Sequence, residues 1–351
     1  MDFQGEPYML RFPLDCGMQA ELTSAPGWDV GIDLEGKKTL RSPFCGDASR
    51  MLDTIVCGDC REILQTMPGE CVDLIVTSPP YADRRSRVYG GIKPDEYVEW
   101  FLPIADGLKR VLKPTGSFIL NIKEIVASGE RHTYVIELIL AMRKRGWLWT
   151  EEYVWHKKNC YPGKWPNRFR DAWERCLHFT KQKYFAMYQQ EVMVPMGDWR
   201  HSRLRKLSET DRIRDNSHVN SGFGKNVSNW IGRELAYPTN VLHMATECGN
   251  KNHSATFPVA LPAWFIRLFT KPGDVVLDPF LGSGTTAVAA QQLGRHYIGI
   301  DINREFCENT QSRLHPRLAG RPTNANNGHR RTRKAGQGMP SLFLHSANSS
   351  T

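Results

Sequence analysis

One segment constrains the architecture more tightly than any other. Asp274-Val-Val-Leu-Asp278 runs into Pro-Phe-Leu-Gly-Ser-Gly-Thr-Thr286, a helix-like stretch follows to Leu293, and His296–Ile300 is again apolar. A strand, a glycine turn, a helix and a second strand predict a parallel β-α-β unit. In such units ligands lie beyond the carboxyl ends of the strands. Gly282 and Gly284 permit close backbone approach there, and the helix amino terminus favours a carboxylate or phosphate. Asp301 closes the second strand, 23 positions after Asp278, where an acid holds ribose hydroxyls. A triphosphate-binding loop is excluded because Thr285-Thr286, not Lys, follows the last glycine. The dinucleotide pattern GxGxxG also fails, having only its first two glycines.

The rest of the chain repeats the rhythm. Apolar strands are predicted at Thr54–Asp59, Val72–Thr77, Ser117–Ile122 and Thr150–Trp155, with helices over REILQTM, 95–112 and Tyr134–Lys144. Lys113-Pro-Thr-Gly116 is expected to stop the second helix, and Leu261–Phe269 adds another. Alternation of this kind predicts an α/β fold with a doubly wound parallel sheet. The rhythm fails between about 185 and 245, which is polar, basic and rich in Asn, Ser and Gly. Residues 1–50 show no periodicity, and the tail 317–351, containing GHRRTRKAGQG, is expected to be disordered.

Thr77-Ser-Pro-Pro-Tyr81 ends one predicted strand with two prolines. They lack backbone donors and fix φ, so the turn is rigid and cannot continue the sheet. Such a turn can hold a short side chain and a backbone carbonyl as acceptors for one amino group, with Tyr81 as a stacking face. A stiff strand-ending turn without chemistry is the equally weighted alternative.

The nine cysteines, an odd number with no secretory leader before them, predict reduced thiols in the cytoplasm. Cys57-Gly-Asp-Cys60 lacks a second pair to complete a zinc site, so no metal is expected. No run of about 18 apolar residues predicts a membrane span. The net charge of +9 raises the expectation of a nucleic-acid partner.

Together, TSPPY and DPFLGSGTT resemble the β-group amino methyltransferases of bacterial restriction–modification systems. The resemblance covers about 53–315 and keeps that family's order, tetrapeptide before glycine turn. It implies a seven-stranded, mostly parallel, Rossmann-like methyltransferase sheet with circularly permuted motifs and an inserted target-recognition region. The implied segments are an unassigned extension (1–50), a catalytic half (51–184), a target-recognition region (185–245), a cofactor half (246–316) and a basic tail (317–351). S-adenosylmethionine is the implied cofactor and double-stranded DNA the implied substrate, with a cognate restriction endonuclease as a further partner. Ser78, Pro79, Pro80 and Tyr81 match the catalytic motif. Asp278, Pro279, Phe280, Gly282, Gly284 and Thr285 match the cofactor turn, with Asp301 on the ribose; Asp59 and Thr77 join them. His253-Ser-Ala-Thr-Phe-Pro258 resembles the family's HPAxFP segment, with Ser254 replacing proline, so Phe257 and Pro258 are expected near the methionine end. Trp155-His-Lys-Lys-Asn159 matches the loop close to an extruded base, with His156 as a weaker candidate. Serine at the head of the tetrapeptide and Phe257-Pro258 imply cytosine N4 as the target. Adenine N6 is the alternative, and an RNA or protein methyltransferase a more distant one.

Between 155 and 185, eight Lys or Arg face only two acids, and Tyr161, Trp165, Phe169 and Trp173 are interleaved. That mixture suits a groove for phosphates and an extruded base, although a solvated surface over an aromatic core has the same composition. Lys157, Lys158, Lys164, Arg168, Arg170, Arg200, Arg203 and Arg205 are the expected DNA contacts.

Overall fold

The computed structural model describes residues 29–32, 38–41, 51–83, 91–160, 163, 166–197, 232–246 and 257–315. The main sheet contains β1 (Thr54–Cys57), β2 (Val72–Thr77), β3 (Leu112–Ile122), β4 (Leu148–Lys157), β5 (Trp173–Thr180), β6 (Val241–Met244), β7 (Val275–Asp278) and β8 (His296–Asp301). Their spatial order is β6-β4-β5-β3-β2-β7-β8-β1. Of these eight, β5 alone runs against its neighbours β3 and β4; every other pair is parallel. The expected mostly parallel sheet is therefore present, with eight strands among the described residues rather than seven. The edge strand β6 comes from the stretch 185–245 that reads as irregular in the sequence.

Among the described residues, six helices flank the sheet: α1 (Cys60–Thr66), α2 (Tyr97–Val111), α3 (Tyr134–Lys144), α4 (Ala260–Phe269), α5 (Thr285–Gln292) and α6 (Arg304–Leu314). Strand periodicity divides the core in two. Phe118, Leu120 and Ile122 of β3, with Leu277 and Ile298, pack under α1–α3. Ile119, Val276 and Tyr297 face α4 and α5 on the other side. Apolar residues on both faces are what a covered parallel sheet requires.

Two elements differ from their sequence reading. Lys113-Pro-Thr-Gly116 does not end a helix in a turn but belongs to β3, whose register against β2 shifts between Val72 and Leu74. Gly116 serves that bulge: a Cβ there would lie 2.8 Å from the Asp73 carbonyl oxygen. β5 (Trp173–Thr180) lies inside the stretch read as a basic, aromatic groove.

Chain direction fixes the site. From β2 the chain continues outward to β3, and from β7 outward to β8, so β2 and β7 meet at a topological switch point. Their carboxyl ends carry Thr77 and Asp278 side by side.

Candidate active site

Asp278 joins the two motifs across 201 positions of sequence. Its Oδ1 accepts from Thr77 Oγ1 at 2.6 Å and from the Phe280 amide at 3.1 Å. Its Oδ2 accepts from Thr286 Oγ1 at 2.7 Å. The group is buried, which pushes its carboxyl up to about 6 against those hydrogen bonds. Both oxygens are thus occupied within the protein, and Asp278 and Thr77 brace the site from beneath. Thr285 is likewise buried, its hydroxyl 3.1 Å from that of Ser283.

Above this bracket lies a cavity of about 220 Å³. Asp59, Pro279, Phe280 and Asp301, all singled out by sequence, line it, together with Pro80 of the tetrapeptide. Asp59 caps α1 by accepting from the Arg61 amide, and the Arg61 guanidinium holds its carboxyl below the usual aspartate range. Asp301 fixes the glycine turn: Oδ2 accepts from the Gly282 amide at 2.7 Å and Oδ1 from the Asn303 amide at 2.8 Å. The wall also uses Trp100 and Ile104 of α2, with Ile302 and Ile92. Trp100 and Phe280 hold their rings 5.9 Å apart. Sequence reading missed these four; helical spacing marked Trp100 and Ile104 as core, and nothing in a single chain separates a core face from a cavity wall.

The two turn glycines differ. Gly282, at φ +53°, meets nothing nearer than the Phe280 carbonyl oxygen at 3.9 Å, so a ligand can approach its backbone. Gly284, at φ +76°, lies against α6, where a Cβ would fall 2.1 Å from Thr310 Cγ2. Gly284 is required by packing.

The tetrapeptide sits at the end of β2. Pro79 is buried, whereas Ser78, Pro80 and Tyr81 are partly exposed. The Tyr97 hydroxyl donates to the Pro80 carbonyl at 2.9 Å, tying the turn to α2. Ser78 Oγ lies 3.3 Å from the Tyr81 hydroxyl, which lies 2.7 Å from Glu174 Oε2 and 3.3 Å from Asn121 Oδ1. Lys157 donates to the other Glu174 oxygen. Burial, then the Glu174 charge, raises the Tyr81 phenol well above its ordinary value, so it stays protonated.

Several basic residues of the expected groove have internal partners. Lys157 is committed to Glu174 and lies 5.0 Å over the Trp155 ring. Arg175 pairs with Glu124 and Glu152, and Lys181 with Glu70. The Arg170 guanidinium donates to the Cys160 carbonyl at 2.9 Å, though the residue is exposed, as is Lys158. Arg168 is partly exposed, and Phe169 between the two arginines is 95% exposed. His156 lies in β4 rather than a loop, its Nδ1 3.0 Å from His243 Nδ1 on β6. Phe257 packs into the core under α4, and the Pro258 carbonyl accepts from the Leu261 amide at that helix's start. Lys164, Arg200, Arg203 and Arg205 lie outside the described residues, as do His253–Thr256 and most of the expected target-recognition region. Cys60 is buried, which pushes its thiol up to about 12, whereas Cys57 is exposed.

A family model described as DNA methylase matches residues 72–312. The type II methyltransferase M.PvuII of Proteus hauseri is 31% identical over 276 residues, covering 71% of this chain and 80% of the relative. M.SmaI of Serratia marcescens is 25% identical over 294 residues, covering 74% and 90%. The solved PvuII DNA methyltransferase (cytosine-N4-specific) shares the fold at TM-score 0.56 and 24% identity, over 78% of this chain and 88% of that one. No helix among the described residues is long and apolar enough to cross a membrane.

Proposed function

The chain belongs to this DNA methylase family, and from that membership we propose that it methylates the exocyclic N4 amino group of a cytosine in duplex DNA, with S-adenosylmethionine as donor. The observation that carries the proposal is the Thr77–Asp278–Thr286 bracket, which seats the Ser-Pro-Pro-Tyr turn beside the glycine-turn cavity. Serine at the head of the tetrapeptide, the 31% identity to M.PvuII and the cytosine-N4 specificity of the solved PvuII enzyme favour N4 over adenine N6.

The residues present fit the donor. The cavity offers apolar walls from Phe280, Pro80 and Ile104, with acids Asp59 and Asp301 in its lining, a set suited to an adenosine. When bound, S-adenosylmethionine supplies an electrophilic methyl group on a sulfonium. The chain's own residues supply position. An aromatic amino nitrogen is a poor nucleophile because its lone pair is delocalised into the ring. Ser78 Oγ and the Pro79 carbonyl accept hydrogen bonds from its two N–H groups, which favours a pyramidal nitrogen whose lone pair faces the cavity. Tyr81 offers its ring to the base, worth roughly 1–3 kcal/mol in single-strand binders. The surplus proton passes to water after transfer, and no covalent enzyme intermediate forms.

A paired cytosine cannot reach the turn, so the base is extruded at a cost of a few kcal/mol. Phe169, 95% exposed and flanked by Arg168 and Arg170 on the β4–β5 connection, is the side chain proposed to enter the gap in the stack. Apolar wedges of this kind hold unstacked steps open. The proposed assignment of residues 185–245 to target recognition rests on their basic, irregular composition.

Replacing Ser78 by Ala tests the chemistry. Methyl transfer is expected to fall at least a hundredfold while calorimetry finds donor affinity within threefold of wild type. Near-normal transfer would contradict the role given to Ser78.

A further inference from the structure

We infer that Glu174, held by Lys157, is a positioning residue that acts through Tyr81 to make Ser78 a pure hydrogen-bond acceptor. The inference rests on the reading of Ser78 as acceptor for the target amino group. Its basis is a chain of groups whose donor directions are forced. A carboxylate only accepts, so across the 2.7 Å contact with Glu174 Oε2 the Tyr81 hydroxyl must donate. The competing neighbour, Asn121 Oδ1 at 3.3 Å, is also an acceptor. Its amide orientation is fixed because Asn121 Nδ2 donates to the Arg175 carbonyl at 3.0 Å, a group that cannot donate back. Whichever acceptor it takes, the single Tyr81 hydrogen points away from Ser78. The Tyr81 oxygen is then an acceptor facing Ser78 Oγ at 3.3 Å, and the Ser78 hydrogen turns toward it.

The consequence lies on the substrate side. A cytosine amino group presents two donors, and a serine hydroxyl free to rotate would present a hydrogen to one of them for part of the time. With its hydrogen drawn to Tyr81, Ser78 directs only lone pairs at the amino group, and no reorganisation is needed as charge develops. Lys157 occupies Glu174 Oε1 and balances its charge in a region where the Glu174 side chain is 10% exposed. Glu174 and Lys157 lie on antiparallel neighbours β5 and β4, so their ion pair spans the two strands beside the catalytic turn.

The test is a double-mutant cycle on methyl transfer to duplex DNA, with donor affinity by calorimetry. Tyr81→Phe keeps the stacking ring but removes the relay; Glu174→Gln admits an amide donor and scrambles its direction. Each is expected to lower kcat at least tenfold with KM for DNA and donor affinity within threefold. The double variant is expected to be within twofold of Tyr81→Phe, because one chain has already been cut. Multiplied losses, or a Glu174→Gln enzyme within twofold of wild type, would overturn the inference. If Glu174→Gln does not fold with Lys157 unpaired, Glu174→Gln/Lys157→Met removes both charges and enters the cycle instead, with the same expectations. A wild-type protein that transfers no methyl group would overturn the proposed function itself, and this inference with it. An active wild type with additive variants overturns the inference alone.

Discussion

Asp278 is more favourably protonated in the folded chain than an unfolded aspartate, whose value is about 3.9. Burial is the cause and raises it to about 6. A raised folded value means that its contribution to stability is fully present below about pH 4 and is lost as pH rises through about 6. Asp278→Asn removes that titration while an amide oxygen still accepts from Thr77 and the Phe280 amide. Urea denaturation at a series of pH values is expected to show the variant gaining on wild type by at most about 3 kcal/mol between pH 4 and 6.5. A constant difference would contradict the assignment. The glycines separate in the same way. Gly284→Ala places a methyl into Thr310 and is expected to cost several kcal/mol, or the fold. Gly282→Ala carries only the positive-φ penalty, about 1–2 kcal/mol, and is expected to weaken donor binding instead. Thermal melts and calorimetry distinguish the two. The sequence motif marked both glycines identically; only the packing of α6 on the turn tells them apart.

At the scale of elements, strands and helices with uniform apolar faces were legible: β2, β7, β8, α3 and α4 lie within a residue or two of their predicted ends. β5 was not, because Glu174 and Arg175 within it break the apolar pattern and read as surface charge. Glu174 is instead buried and paired with Lys157, and Arg175 is half-buried and paired with Glu124 and Glu152. Local rules fail where residues serve a site rather than the fold. β6 was missed for a different reason: four residues between irregular segments carry too little periodicity to register. The β4–β5 connection brings Phe169 to the sheet end that bears the tetrapeptide. Phe169→Ala is expected to slow methylation of a fully paired duplex at least fivefold, yet by less than twofold when the target cytosine faces an abasic site. Equal slowing on both substrates would contradict a wedge role.

Over the whole molecule, the order of motifs determined the topology. A tetrapeptide on β2 and a glycine turn after β7 are distant in sequence, and a parallel sheet with a switch point is what brings them to one cavity. The net charge of +9 acts at this scale too, although Lys157, Arg175 and Lys181 are paired with acids inside the fold and the excess is carried by other basic residues. DNA affinity is therefore expected to fall by at least roughly tenfold between about 50 and 200 mM salt, the signature of phosphate contacts, as titration by fluorescence anisotropy would show. The most direct test of the central claim is incubation of the protein with duplex DNA and methyl-labelled S-adenosylmethionine, followed by digestion to nucleosides. The expected product is N4-methyldeoxycytidine, absent in Ser78→Ala. Label in N6-methyldeoxyadenosine would contradict the assigned base, and label in no nucleoside would contradict the assigned reaction.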